Sequence, residues 1–121
     1  MATGSRNTVL AVDDMGEWAD EIALAVGELA PEVVVRREST REAALLAIRE
    51  AATTLLAVIT DNSLEGSEGT HGVEIAQSAL DAEVPHVAIL TARPDSVRPP
   101  QGAEVWSKTA RLKDLLRPFF V

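Results

Sequence analysis

The chain contains no cysteine and no tyrosine, and two tryptophans and two phenylalanines supply the few aromatic rings among its 121 residues. Without a thiol there is no disulfide, no zinc–thiolate site and no thiol nucleophile, a composition compatible with a reducing cytoplasm. Val, Leu, Ile and Ala must therefore build the core. Positive charge is also scarce: 11 Lys and Arg face 19 Asp and Glu, for a net charge of −8. That balance disfavours phosphate backbones and anionic lipid, which need clustered cations. Long apolar runs are missing as well, since the first one stops at Asp13-Asp14, too early for the core of a signal peptide. These absences point to a cytoplasmic protein with neither a nucleic-acid nor a membrane partner.

What is present is an ordinary globular mixture, 46% hydrophobic and 25% charged, which argues against disorder. The length suits one domain, 1–121, with a flexible tip over 1–7. No repeat, low-complexity tract or linker interrupts it.

Apolar runs and helical stripes alternate along the chain. Thr8-Val9-Leu10-Ala11-Val12 reads as a strand ending in two carboxylates, and Trp18, Ile22, Val26 and Leu29 follow at helical spacing. Pro31 closes that helix, and Val33-Val34-Val35 opens a second strand that runs into Arg36 and Arg37, a polarity suited to a sheet edge. Ser39-Thr40-Arg41-Glu42 has the spacing of a capping box, followed by a stripe of Ala44, Leu45, Ile48 and Ala52. The third strand, about 56–60, leads into Asp61-Asn62-Ser63 and a loop extending to Gly72, after which Val73, Ala76 and Leu80 restore a helical face. Beyond Pro85, the run from His86 to Leu90 is a fourth strand ending at Thr91-Ala92. Pro94, Pro99 and Pro100 leave room for at most one short helical turn over 93–102, so the fourth helix is expected to be short or missing. A short fifth strand over 103–106 ends near Ser107-Lys108, and Leu112, Leu115, Leu116 and Phe119 mark a last helix that Pro118 cuts short.

Such alternation implies parallel strands joined by right-handed crossovers, an α/β doubly wound sheet with helices on both faces. Ligands bind such sheets at the carboxyl ends of the strands. There the sequence places Asp13 and Asp14 after the first strand, Asp61 after the third, Thr91 after the fourth and Lys108 after the fifth. Three neighbouring carboxylates repel and need a counterion, for which Mg²⁺, a hard divalent cation with oxygen ligands, is the natural candidate. A carboxylate can attack phosphorus to form an acyl phosphate, and phosphoryl transfer is mostly positioning plus charge neutralisation. Asp61 therefore reads as a phosphoryl-accepting nucleophile, Lys108 as a second positive charge and Thr91 as a hydroxyl donor to a transferring oxygen.

Each residue alone has a plainer explanation. An Asp at a strand end commonly forms a turn or a helix cap, and Asp14 can cap the first helix without losing a metal role. Caps do not explain why Thr91 and Lys108 fall on the same rim. His71 in a loop and His86 at the opposite end of the sheet receive no catalytic role, and Gly66, Gly69 and Gly72 lack the lysine of a phosphate-binding loop.

With Val12-Asp13-Asp14, Ile59-Thr60-Asp61, Leu90-Thr91-Ala92 and Trp106-Ser107-Lys108 in place, the chain resembles a receiver domain of the two-component response-regulator family. The resemblance runs from about Thr8 to Phe119. It implies a flavodoxin-like (βα)5 sheet in strand order 2-1-3-4-5, in a stand-alone receiver that is a monomer or weak dimer. Asp61 would take phosphate from a phosphohistidine on a sensor histidine kinase or histidine phosphotransfer protein. Asp13, Asp14, Asp61 and the backbone carbonyl of Ser63 would hold Mg²⁺, Thr91 would be the switch hydroxyl, and Lys108 would pair with the phosphoryl group. The output would be protein–protein contact, making the chain a phosphorylatable switch and no enzyme beyond its own phosphotransfer and dephosphorylation.

Three positions depart from the family pattern. The segment after Asp61 is longer and lacks the usual proline, Thr109 stands where a cis-proline commonly follows the lysine, and Val105 stands three before it at a commonly aromatic position. They motivate an alternative, a non-phosphorylated pseudo-receiver acting as an interaction scaffold. A phosphatase or flavoprotein on the same topology fits less well. Ser63 occupies the place two after Asp61 where a second carboxylate would stand, and aromatics to sandwich a flavin are lacking.

Overall fold

The structure, a computed structural model, describes residues 6–62 and 70–120. Its elements are β1 (Thr8–Val12), α1 (Glu17–Leu29), β2 (Val34–Glu38), α2 (Arg41–Ala51), β3 (Leu55–Asp61), α3 (Thr70–Asp81), β4 (His86–Thr91), β5 (Glu104–Ser107) and α4 (Leu112–Leu116). All strand pairs are parallel and the sheet order is β2-β1-β3-β4-β5, the flavodoxin-like order expected. Among the described residues no helix is long and apolar enough to cross a membrane. Arg6 donates to the carbonyls of Ala52 and Leu55, and the Asn7 amide donates to Thr54, so paired backbone begins before β1. Met1 to Ser5 lie outside the described residues.

The central strands are apolar because both of their faces are covered. Side chains alternate between the faces: Val9, Ala11, Ala57, Ile59, Ala88 and Leu90 pack with α1 and α4, and Leu10, Val12, Val58, Val87 and Ile89 pack with α2 and α3. This alternation sends consecutive residues at a strand end in opposite directions. Trp106 accordingly packs in the α1–α4 cluster, 5.5 Å from the Phe119 ring, and its Nε1–H donates to Glu104.

Several boundaries differ from the sequence reading. The N-cap of α2 is Thr40, not Ser39: its backbone is extended (φ −129, ψ 158) and its Oγ1 accepts from the Ala43 amide. Ser39 therefore forms no capping box with Glu42, because the helix starts one residue later. The third helix begins at Thr70, ahead of the apolar stripe, since a polar first turn carries no periodicity to read. Between β4 and β5 the only helical piece among the described residues is the 3₁₀ turn Pro94–Ser96, and Val97 and Ala103 lay the rest of that strap against the α2–α3 core. The last helix becomes 3₁₀ at Arg117–Phe120, where Pro118 ends regular α-helical bonding. Arg41 and Glu74 join α2 to α3 through a two-pronged ion pair, and that guanidinium holds the Glu74 carboxyl below its usual pKa.

His86 opens β4 beneath the last turn, its ring stacked on Phe119 with centroids 4.2 Å apart. Burial lowers its pKa below the ordinary 6.5, with Glu104 pulling the other way. The fold thus favours neutral imidazole, and the unfolded chain takes up a proton first as the pH drops. The stabilisation is complete above 6.5 and is lost as pH falls from there through the folded value. The urea midpoint should therefore fall more steeply between about pH 7.5 and about pH 5.5 in wild type than in His86→Phe, which retains the stack. Parallel slopes would show that His86 titrates alike in both states.

Candidate functional site

The sheet order brings the ends of β1 and β3 side by side, with β4 next to β3 and β5 next to β4. At that rim, ligand oxygens of Asp13, Asp14 and Asp61 lie within 4.8 Å of one another. Asp13 and Asp61 are buried and Asp14 is exposed. An all-oxygen, anionic donor set of this kind suits a hard divalent cation. Ser63, the remaining metal-ligand candidate, lies outside the described residues.

Asp13 has a second task. Its amide is fixed to the Glu38 carbonyl, and the turn after it passes through Gly16, whose φ of 79° lies in the left-handed region that favours glycine. That turn swings the start of α1 over the Asp13 carboxylate. Oδ2 accepts from the Trp18 amide at 2.7 Å and the Ala19 amide at 3.4 Å, and Oδ1 accepts from the Met15 amide at 3.2 Å. The carboxylate that caps α1 is Asp13, where the sequence reading offered Asp14 for that part. Adjacent acids in a turn give no one-dimensional signal of which one faces the helix.

Asp61 ends β3, and Lys108 reaches it from beyond β5, with Nζ 3.1 Å from Oδ1. The lysine backbone is anchored first: its amide donates to the Thr91 carbonyl at 2.8 Å. The turn that follows is held by side chains, since Ser107 Oγ accepts from the Thr109 amide and lies 2.7 Å from Thr109 Oγ1. The Ala110 amide closes it onto the Ser107 carbonyl. Ser107 and Thr109 thus form a turn that a proline would otherwise impose. Thr91 is buried, and its Oγ1 accepts from the Arg93 amide at 3.0 Å, leaving its O–H able to donate.

These groups line an open pocket of about 300 Å³ with Asp61, Thr91 and Lys108 on its walls, together with Asn62, Ala92, Arg93 and Ser96. Asn62 Oδ1 is buried there with no hydrogen-bond partner among the described residues. Sequence reasoning gave Asn62 no part. It also missed Trp18, whose ring lies 5.6 Å from Lys108 Nζ, and Gly72. A Cβ on Gly72 would stand 2.7 Å from the Asp61 carbonyl oxygen and 2.8 Å from Asn62 Cα, so the start of α3 touches the end of β3 itself. No sequence signal marked Gly72, because the apolar stripe that announces α3 begins only after it.

No protein-family model matches the chain, and no curated protein matches its sequence. Solved structures do. A response regulator receiver domain protein from Clostridium thermocellum superposes with a TM-score of 0.69 at 21% identity, covering 93% of this chain and 90% of that one. A signal receiver domain from Mycobacterium tuberculosis gives 0.66 at 19% identity, covering 94% and 93%. The receiver domain from the hybrid histidine kinase CckA gives 0.64 at 21%, covering 92% and 94%. Strand order, helix placement and these superpositions agree: the chain has the fold of response-regulator receiver domains.

Proposed function

We propose that this chain is a phosphoacceptor receiver of a two-component system, one domain over 1–121, cytoplasmic, and phosphorylated on Asp61 by a sensor histidine kinase or histidine phosphotransfer protein. The observation that carries the reading is the Lys108–Asp61 contact of 3.1 Å, in a pocket shared with Thr91 and beside the carboxylates of Asp13 and Asp14. In the transfer, an Asp61 carboxylate oxygen forms a bond to phosphorus while the P–N bond of the donor phosphohistidine breaks. The bonding electron pair stays on nitrogen, so the donor leaves as imidazole. Lys108 balances charge on the phosphoryl oxygens, and the Thr91 hydroxyl donates to one of them. Asp13, Asp14, Asp61 and the Ser63 carbonyl would hold Mg²⁺, which when bound neutralises charge on the entering group. The acyl phosphate is later hydrolysed, and the signal passes by contact with another protein.

The test uses acetyl phosphate, whose P–O bond replaces the P–N bond. Wild type with Mg²⁺ should gain one phosphoryl mass by intact mass spectrometry. Asp61→Asn should gain none, and chelating Mg²⁺ should abolish the gain. An equal gain in Asp61→Asn would remove the acceptor from this site. No gain in wild type would leave the scaffold reading, which the Val105 and Thr109 positions favour.

A further inference from the structure

Lys108 lines two cavities at once: the acceptor pocket, and a groove of about 580 Å³ between α1 and α4 whose walls include Trp18 and Leu112. Trp18 lines the groove beside Lys108, the residue that the two cavities share. Its backbone amide is pinned to Asp13 Oδ2 at 2.7 Å, its ring packs against the α1–α4 core, and that ring lies 5.6 Å from Lys108 Nζ. Apart from its terminal contacts, the lysine side chain is a flexible four-carbon stem, and it is only partly buried.

We propose that Trp18 is a positioning residue for phosphoryl transfer, holding the Lys108 ammonium over the acceptor through the face of its indole. This rests on the receiver reading above. In the resting state Asp61 itself anchors the ammonium. During transfer one Asp61 oxygen becomes bonded to phosphorus and negative charge moves out onto the phosphoryl oxygens, so the Asp61 contact weakens when Lys108 is most needed. An aromatic face attracts a cation within about 6 Å without offering a competing anion, and therefore keeps Nζ near the rim without neutralising it. Lys108 neither gives nor takes a proton; bond making to Asp61 oxygen and bond breaking at the donor are unchanged. The anchoring of Trp18 on Asp13 makes the arrangement continuous, from carboxylate to amide, indole, ammonium and acceptor.

Two variants and a double-mutant cycle test the role of the indole face. Trp18→Leu keeps an apolar side chain but removes the π face, and Trp18→Phe keeps a weaker π face. At saturating Mg²⁺ and acetyl phosphate, Trp18→Leu should phosphorylate roughly 3- to 30-fold more slowly than wild type, with half-saturating donor concentration changed less than about twofold. Trp18→Phe should recover most of that loss. In a Lys108→Met background, Trp18→Leu should add no further loss, because the two residues act through one contact. An undiminished second loss, or a Trp18→Phe no better than Trp18→Leu, would make Trp18 a packing residue only and overturn the proposal. A second measurement needs no phosphorylation: the Lys108 ε-methylene protons should be shifted upfield by the indole ring current in wild type and return to ordinary lysine values in Trp18→Leu. If wild type accepts no phosphoryl group, the receiver reading fails, and absence of that shift would show separately that Trp18 does not hold Lys108.

Discussion

Gly72→Ala should lower the stability of this protein by about 2–3 kcal/mol, read as a fall in the urea midpoint at unchanged slope. The expectation runs against helix propensity, since alanine within a helix is favoured over glycine by about 1 kcal/mol. Packing decides the sign. The added methyl would lie 2.7 Å from the Asp61 carbonyl oxygen and 2.8 Å from Asn62 Cα, closer than real Cβ contacts come. Both atoms are backbone, so no side chain can rotate out of the way. Either α3 backs off the sheet, opening the cluster around Ile75, Ala76 and Ala79, or the end of β3 shifts and takes Asp61 with it. An unchanged or raised midpoint would show that the start of α3 is not held against Asp61. A second consequence separates the two routes: on the proposed receiver reading, a yielding β3 would also slow phosphorylation of whatever Gly72→Ala protein remains folded.

The second large effect is a contrast between neighbours. Asp13→Ala and Asp14→Ala each remove one negative charge from the same cluster, and the repulsion relieved in metal-free buffer is larger for buried Asp13 than for exposed Asp14, which works against the hydrogen-bond loss at Asp13. The hydrogen bonds outweigh that relief. Asp13 is buried and accepts from the Trp18 and Ala19 amides in the first turn of α1 and from the Met15 amide in the turn before it, and its loss strands those donors near a helix N-terminus. Asp14→Ala should therefore be more stable than Asp13→Ala by about 2–3 kcal/mol, within the range expected for losing a helix cap together with charge-assisted bonds. Thermal or urea unfolding in the presence of a chelator measures it. Equal stabilities would mean that α1 finds its N-terminal acceptors elsewhere.

How far the sequence could be read follows from what its signals are. Buried strands announce themselves as apolar runs, and their polar ends mark the rim, which is why Asp61, Thr91 and Lys108 could be named together before any contact was known. The missing helix between β4 and β5 was equally legible, because three prolines forbid it locally. The illegible parts depend on direction rather than on composition. Thr40 caps α2 in place of Ser39 because its backbone is the one in extended conformation at the helix start. The partner of Lys108 across α1 is a tertiary contact between residues 18 and 108, with no spacing rule behind it. Gly72 looked like the last glycine of a loop, and its role comes from a strand that passes beneath it.

The strap from Arg93 to Ala103 carries a consequence for how this side of the molecule can move. A helix in that position would hold itself by a ladder of i to i−4 bonds and could melt or re-form turn by turn. The strap has one 3₁₀ turn, Pro94–Ser96, and a turn closed by the Ala103 amide on the Pro100 carbonyl, and Val97 and Ala103 lodge it against the core. Its prolines narrow the range of shapes open to the chain even when it is detached, so little conformational freedom is lost when it docks. Detaching this strap therefore means withdrawing Val97 and Ala103 from the core, with Arg93 at the end that lines the Asp61 pocket.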